Sequence, residues 1–130
     1  YIKAQEMALE YVPQRETFGA PLSSRQSIQW MLVDNEIDIK QSLWITLEAA
    51  AKAERGENFR KEAAMAKLVA TEAGGRVVDR CMQMFGGLGV AKDLPFERWF
   101  REMRIRRIGE GPSEVQRHVI ARELLGSSLR

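Results

Sequence analysis

The sequence predicts an all-α protein, an antiparallel four-helix-bundle-like domain with one short extra helix. Three observations carry that expectation. Apolar residues recur at helical spacing through most of the chain. Glycine and proline gather in a few short clusters between the periodic stretches. No stretch alternates apolar and polar residues strongly enough to read as a strand. With 130 residues, 45% hydrophobic and 29% charged, the chain is one domain long and can bury one core.

The elements follow in order. "YIKAQEMALEYVPQR" reads as a helix with Ile2, Met7, Leu9 and Val12 on its apolar side, and Pro13 marks its end. "RETFGAPLSS" reads as a loop. A long helix is expected from about Ser24 to Arg55, closed by Gly56. Ile28, Met31, Leu32, Ile39, Leu43 and Leu47 form one face of it, and Trp30, Val33, Ile37 and Trp44 form another. A helix apolar on two sides points to an interface as well as a core. The next helix is expected from Asn58, as N-cap, to about Phe85. Its inward face is small: Ala63, Ala66, Ala70, Ala73 and Gly74, with Val69, Val77 and Val78. Gly86 or Gly87 should cap its end. "PFERWFREMRIRRI" reads as a short helix with Pro95 in its first turn. In "GPSEVQR" Gly111 is expected as N-cap, Pro112 at N1 and Glu114 at N3.

Several function classes drop out. The net charge is +2, with no basic block to mark a nucleic-acid surface. The lone Cys81 excludes an internal disulfide, and with the lone His118 it leaves no expected metal site. Both read as packing or surface residues. No apolar run is long enough for a membrane span. The chain opens in mid-helical pattern without methionine, so we expect a piece of a longer polypeptide.

Three stretches could carry chemistry. In "RIGEGPSEVQR", Glu110 lies between Gly109 and Gly111, just before a helix start. It reads either as a solvated acid closing one helix or as a general base in a spot a substrate can approach closely. Its backbone amide could polarise a substrate carbonyl. "QMFGGLG", Gln83 to Gly89, reads as a cap and turn, or as a place where backbone approaches a flat or phosphorylated ligand. "RETFGAPLSSRQ" offers Arg15 as a surface ion-pair partner or a phosphate fork, and Phe18 as a core plug or stacking platform. The arginines of "RWFREMRIRR" read as a solvated face, or as a holder of anionic groups on a partner domain.

Together, and in this order, these stretches resemble the C-terminal helical domain of acyl-CoA dehydrogenases, over essentially the whole of residues 1–130. The resemblance implies a parent enzyme with an N-terminal helical domain and a middle β-domain, assembled as a homo-oligomer (dimer or tetramer). It implies FAD as cofactor and an acyl-CoA thioester as substrate, dehydrogenated between Cα and Cβ. Electrons would pass to an electron-transferring flavoprotein. Glu110 matches the catalytic base, and Gly109, Glu110 and Gly111 the substrate contacts. Arg15, Thr17, Phe18, Gln26, Gln83, Gly86, Gly87, Pro112 and Glu114 match FAD contacts. Where the family often has tyrosine before the base and threonine two places after it, this chain has Gly109 and Pro112, an "EGP" variant. Two neighbouring readings stay open: an oxidase or nitroalkane-oxidase-like relative, and a non-catalytic structural or binding fragment. The resemblance also implies a reducing intracellular compartment, the cytoplasm for a bacterial source and the mitochondrion or peroxisome for a eukaryotic one.

Overall fold

In the computed structural model, which describes residues 1–128, one helix forms the axis and the others pack around it. That axis is α3, Arg60–Phe85. Its alanines and glycines keep the helix thin, which lets four neighbours approach. They are α1 (Ile2–Tyr11), α2 (Gln26–Glu54), α5 (Phe96–Arg106) and α6 (Ser113–Leu125), all in contact with α3. A one-turn helix α4, Gly87–Val90, links α3 to α5. The fold is therefore all-α, as the periodicity predicts. The one addition is a two-residue hairpin, β1 (Glu16–Thr17) against β2 (Ala20–Pro21), inside the expected loop.

The ends of the elements differ in instructive ways. The expected start at Ser24 is a 3-10 turn over Leu22–Ser24, and α2 begins at Gln26. Asn58 does cap α3 by accepting the Arg60 amide at 3.1 Å, but the N-cap position itself is Phe59. Pro95 lies at the N-cap of α5, one place before its first turn. Gly86, at φ +60°, ends α3 as expected. The start of α6 corrects the sequence expectation by one place. Pro112 is the N-cap, with extended ψ of 167°, so Ser113 is N1 and Glu114 is N2. Glu114 keeps its favourable place near the positive end of the helix.

The core is aliphatic at its centre and aromatic at one end. Ala4, Ala8, Val12, Val77, Val78 and Cys81 are buried where α1 crosses α3. Beyond them Tyr11 stacks on Phe85 at 4.1 Å, Phe85 meets Phe96 at 4.6 Å, and Phe96 meets Trp99 edge-on at 5.6 Å. Those rings tie α1, α3 and α5 into one unit. Burial pushes the Cys81 thiol up to about 12, so it is a packing residue and no nucleophile. His118 is exposed on α6.

Three expected faces are wrong in part. On α1, Ile2 and Leu9 face outward while Ala4, Gln5, Ala8 and Val12 are buried. On α2, Ile28 and Ile39 point inward, but Leu43 and Leu47 do not. Their inward places are taken by polar groups: Asn35, Asp38 and Ser42, all buried. Asp38 accepts Arg76 on both oxygens, Nη2 at 2.5 Å and Nε at 3.1 Å, and also takes Arg80 Nη1 at 2.8 Å. Asn35 bridges Gln5 Oε1 and Arg80. Charge pairing and hydrogen bonds satisfy these groups, so burial is tolerable. On α3, Ala63, Val69 and Ala70 are only half-buried, and Ala64 and Glu62 join the interior instead. The second apolar face of α2 is exposed as predicted, with Trp30 61% and Trp44 67% accessible, beside Val33 and Ile37.

Candidate active site

The chain between α5 and α6 is a tight, braced turn. Gly109 N–H donates to the Ile105 carbonyl at 2.8 Å, which terminates α5, and Ser113 N–H donates to the Arg107 carbonyl at 3.3 Å. Glu110 takes φ +54° and Gly111 φ +89°. The sequence suggests that the glycines absorb any left-handed geometry, yet the carboxylate-bearing residue adopts it too. For a residue with a Cβ that conformation costs on the order of 1 kcal/mol and persists only where the surroundings enforce it. Here the surroundings are visible. Lys67 Nζ donates to the Gly111 carbonyl at 2.6 Å. Gln116 Nε2 donates to the Gly111 carbonyl at 3.1 Å and to the Glu110 carbonyl at 3.4 Å. Ser113 Oγ donates to Glu72 at 2.6 Å and Arg107 Nη1 to the other Glu72 oxygen at 3.3 Å. The Ser113 hydroxyl first, and the Arg107 guanidinium with it, hold the Glu72 carboxyl below its usual range against burial that would raise it.

Glu110 is exposed and lies where two grooves meet. One runs between α3 and α6, past Phe59, Ala63, Ala64 and Val119. The other runs between α3 and α5, past Thr71, Ile105 and Gly109. Lys67 lies in both. Among the described residues the Glu110 N–H makes no hydrogen bond, so carboxylate and amide are both free to meet a ligand.

A separate groove, at the far end of α3, brings together residues that are 66 or more positions apart in sequence. Arg15 and Thr17 face Gln83, Gly86 and Gly87 across it, with Tyr11 and Phe85 in its wall. A Cβ built at Gly86 or Gly87 would meet nothing within 4 Å, so backbone is bare on that side. Phe18 stands at the tip of the hairpin, 100% accessible, at φ +50° beside Gly19 at φ +74°. Two consecutive positive φ values define the tight hairpin turn that normally favours Asn-Gly. Arg25 lies 5.9 Å from the Phe18 ring centroid and donates to the Thr17 carbonyl at 2.5 Å. Gln26 is exposed at the first turn of α2, outside that groove. Pro112 and Glu114 belong to the Glu110 end. The predicted residues thus form two clusters toward opposite ends of α3, Glu110 and its neighbours at one and Arg15, Thr17, Gln83, Gly86 and Gly87 at the other, while Phe18 and Gln26 line neither.

Comparison with known proteins then decides the family. The family model described as "Acyl-CoA dehydrogenase, C-terminal domain" matches residues 1–125. The chain belongs to the acyl-CoA dehydrogenase family. It is 43% identical over 124 residues to the mitochondrial short-chain specific acyl-CoA dehydrogenase of Bos taurus, covering 95% of this chain and 30% of that protein. The butyryl-CoA dehydrogenase of Megasphaera elsdenii superposes with a TM-score of 0.91 at 38% identity, covering 94% of this chain and 32% of that one. A structure described as the electron transferring flavoprotein of Acidaminococcus fermentans superposes at 0.92 and 35% identity, covering 95% and 33%. The chain therefore spans about a third of the length of the proteins it matches.

Sequence reasoning missed the braces of the Glu110 turn: Lys67, Glu72, Arg107, Ser113 and Gln116. Only Lys67 left a trace. It is the single charge in the run "AAMAKLVA" of α3, an expensive place for an ammonium without a purpose.

Proposed function

We propose that residues 1–130 are the C-terminal helical domain of a longer FAD-dependent acyl-CoA dehydrogenase, completed by an N-terminal helical domain and a middle β-domain. The observation that carries this reading is Glu110, a carboxylate held left-handed between two glycines at the junction of two grooves. The carboxylate takes the Cα proton of the thioester. The Glu110 N–H donates to the thioester carbonyl, which stabilises the charge that develops there as the proton leaves. Gly109, where a Cβ would meet only the Ile105 carbonyl at 3.5 Å, leaves room for a flat thioester beside the base. Bound FAD would supply the hydride acceptor for Cβ, so that one proton, taken by Glu110, and one hydride would leave to give a trans-2-enoyl thioester.

The bare backbone of Gly86 and Gly87, the exposed Arg15 and the Gln83 amide fit a phosphate-bearing, flat cofactor. Arg15, Thr17 and Phe18 would hold FAD at one end of the bundle, with Gln26 beside them. Pro112 and Glu114 would face it near Glu110. Their separation means that the cofactor is long or that the two clusters serve different subunits. The strained and fully exposed Phe18 supports the second arrangement, since among the described residues its ring has no partner but Arg25. Phe18→Asn should raise stability by about 0.5–1 kcal/mol, because asparagine tolerates the left-handed region. The same change should weaken FAD retention in the full-length enzyme. Thermal melting of this chain and flavin content of the parent protein check both halves.

The exposed Trp30, Val33, Ile37 and Trp44 support assembly of the parent enzyme as a homo-oligomer. Sedimentation of this chain should show a dimer or larger species, and Trp30→Glu with Trp44→Glu should return it to monomer. An electron-transferring flavoprotein would reoxidise the flavin.

The test of the function is anaerobic. Full-length protein with bound FAD is titrated with short, long and branched acyl-CoAs, and loss of the visible flavin band is followed. Bleaching by at least one thioester supports dehydrogenation, and oxygen-insensitive reduced flavin separates a dehydrogenase from an oxidase. No bleaching by any thioester would overturn the reading.

A further inference from the structure

We propose that Lys67 is a positioning residue for Glu110, acting through the Gly111 carbonyl; the inference rests on the function proposed above. The geometry carries it. The carbonyls of Glu110 and Gly111 are the accepting groups of the turn, and holding them holds the backbone from which the Glu110 side chain leaves. Gln116 reaches both, at 3.4 and 3.1 Å, from the first turn of α6, directly after the turn. Lys67 belongs to α3, the axis of the bundle, and binds the Gly111 carbonyl more closely, at 2.6 Å across 44 residues. It therefore fixes the turn relative to the body of the domain. Gly111, at φ +89°, sits close under Gln116: a Cβ there would stand 2.7 Å from Gln116 Nε2, so the left-handed position suits glycine.

Lys67 is also placed where such control has a chemical use. It lines both grooves that meet at Glu110, so its ammonium and the carboxylate share one cleft. Lys67 Nζ is engaged as a donor to the Gly111 carbonyl, and among the described residues Glu110 is the group with a free carboxylate in that cleft. Without Lys67, the Gly111 carbonyl loses its bond to α3. Glu110, at φ +54°, is then free to relax toward the right-handed region that its Cβ prefers. The carboxylate moves away from the junction of the grooves. A displacement of about 1 Å is enough to slow a well-positioned step a hundredfold.

The neighbouring Glu72–Ser113–Arg107 cluster does a different job. It anchors the first turn of α6 and the end of α5, on either side of the turn, and touches neither carbonyl. A general loosening of the turn should follow from loss of Glu72. Loss of Lys67 should redirect Glu110 and leave the helices in place.

The experiment uses the full-length enzyme with bound FAD, as wild type, Lys67→Met and Lys67→Arg, with Lys67→Gln held ready if the methionine variant fails to fold. Two readouts are taken: the first-order rate of flavin reduction by saturating acyl-CoA under argon, and the backbone conformation of Glu110 by crystallography. We expect Lys67→Met to slow reduction tenfold to a hundredfold with flavin content unchanged. Its Glu110 should leave the left-handed region. Lys67→Arg, which keeps a donor of similar reach, should recover most of the rate and keep the left-handed Glu110. A Lys67→Met enzyme that reduces at the wild-type rate with Glu110 still left-handed overturns the proposal. If wild type itself bleaches with no thioester, the functional reading fails instead. The crystal structures then still decide, because a left-handed Glu110 in Lys67→Met rejects the role of Lys67 and its loss upholds it.

Discussion

Glu110→Gln in the full-length enzyme should lower the rate of thioester-dependent flavin reduction by about 10²–10⁴-fold, the usual contribution of a positioned general base. Glutamine keeps the size, the backbone amide and the room beside the glycines. It removes only the capacity to accept a proton. FAD content and affinity for the enoyl product should therefore stay near wild type, because the residues proposed to hold the cofactor are unchanged and product binding needs no base. Loss of FAD in the variant would show that the substitution damages the fold and would void the kinetic comparison. An unchanged rate with FAD in place would place the base outside residues 1–130.

Asp38→Ala should cost this chain roughly 2–3 kcal/mol of stability and lower its melting temperature by on the order of 10 °C. Asp38 is only 7% accessible and is the common acceptor for Arg76 and Arg80. Removing it leaves two guanidinium groups facing a cavity between α2 and α3. The half-exposed Arg76 can turn to water, but the more buried Arg80 has less freedom, which keeps the cost below that of a fully enclosed ion pair. The same cluster sets an acid limit. Burial alone would raise the Asp38 carboxyl, but hydrogen bonds and charge from Arg76 and Arg80 outweigh it and hold the group below its ordinary value. Its folded value is depressed, so its contribution is complete above about pH 4 and is lost as pH falls through the folded value. Glu72 behaves in the same sense. Melting followed between pH 7 and pH 2.5 should show wild type losing stability below about pH 4, with Asp38→Ala losing less over that range. Parallel curves for the two proteins would contradict the assignment.

The periodicity of apolar residues was enough to place every long helix, because each must bury a stripe against α3. It was not enough to say which stripe. On α2, leucines 43 and 47 continue the apolar spacing of Ile28 and Ile39, yet Asp38 and Ser42 turn inward instead. Their burial depends on Arg76 and Arg80, which lie some forty positions away on another helix, and hydropathy along one helix carries no trace of such a partner. The candidate site divides in the same way. Glu110 was visible through its two glycines and the helix start after it, and Gly86 and Gly87 through the end of α3. The left-handed backbone at Glu110 and Phe18 was not visible, since each stands beside a glycine to which any positive φ is naturally assigned. Nor was Glu72, whose bond to the turn spans 41 residues, and Lys67, bonded across 44, showed only as a lone charge in an apolar run.

The most direct test of the account is a crystal structure of the full-length protein with FAD and a bound enoyl-CoA. The account predicts a Glu110 carboxylate oxygen about 3–3.5 Å from C2 of the acyl chain, with the Glu110 N–H within hydrogen-bond reach of the thioester oxygen. A different carboxylate at C2, with Glu110 turned to solvent, would contradict it.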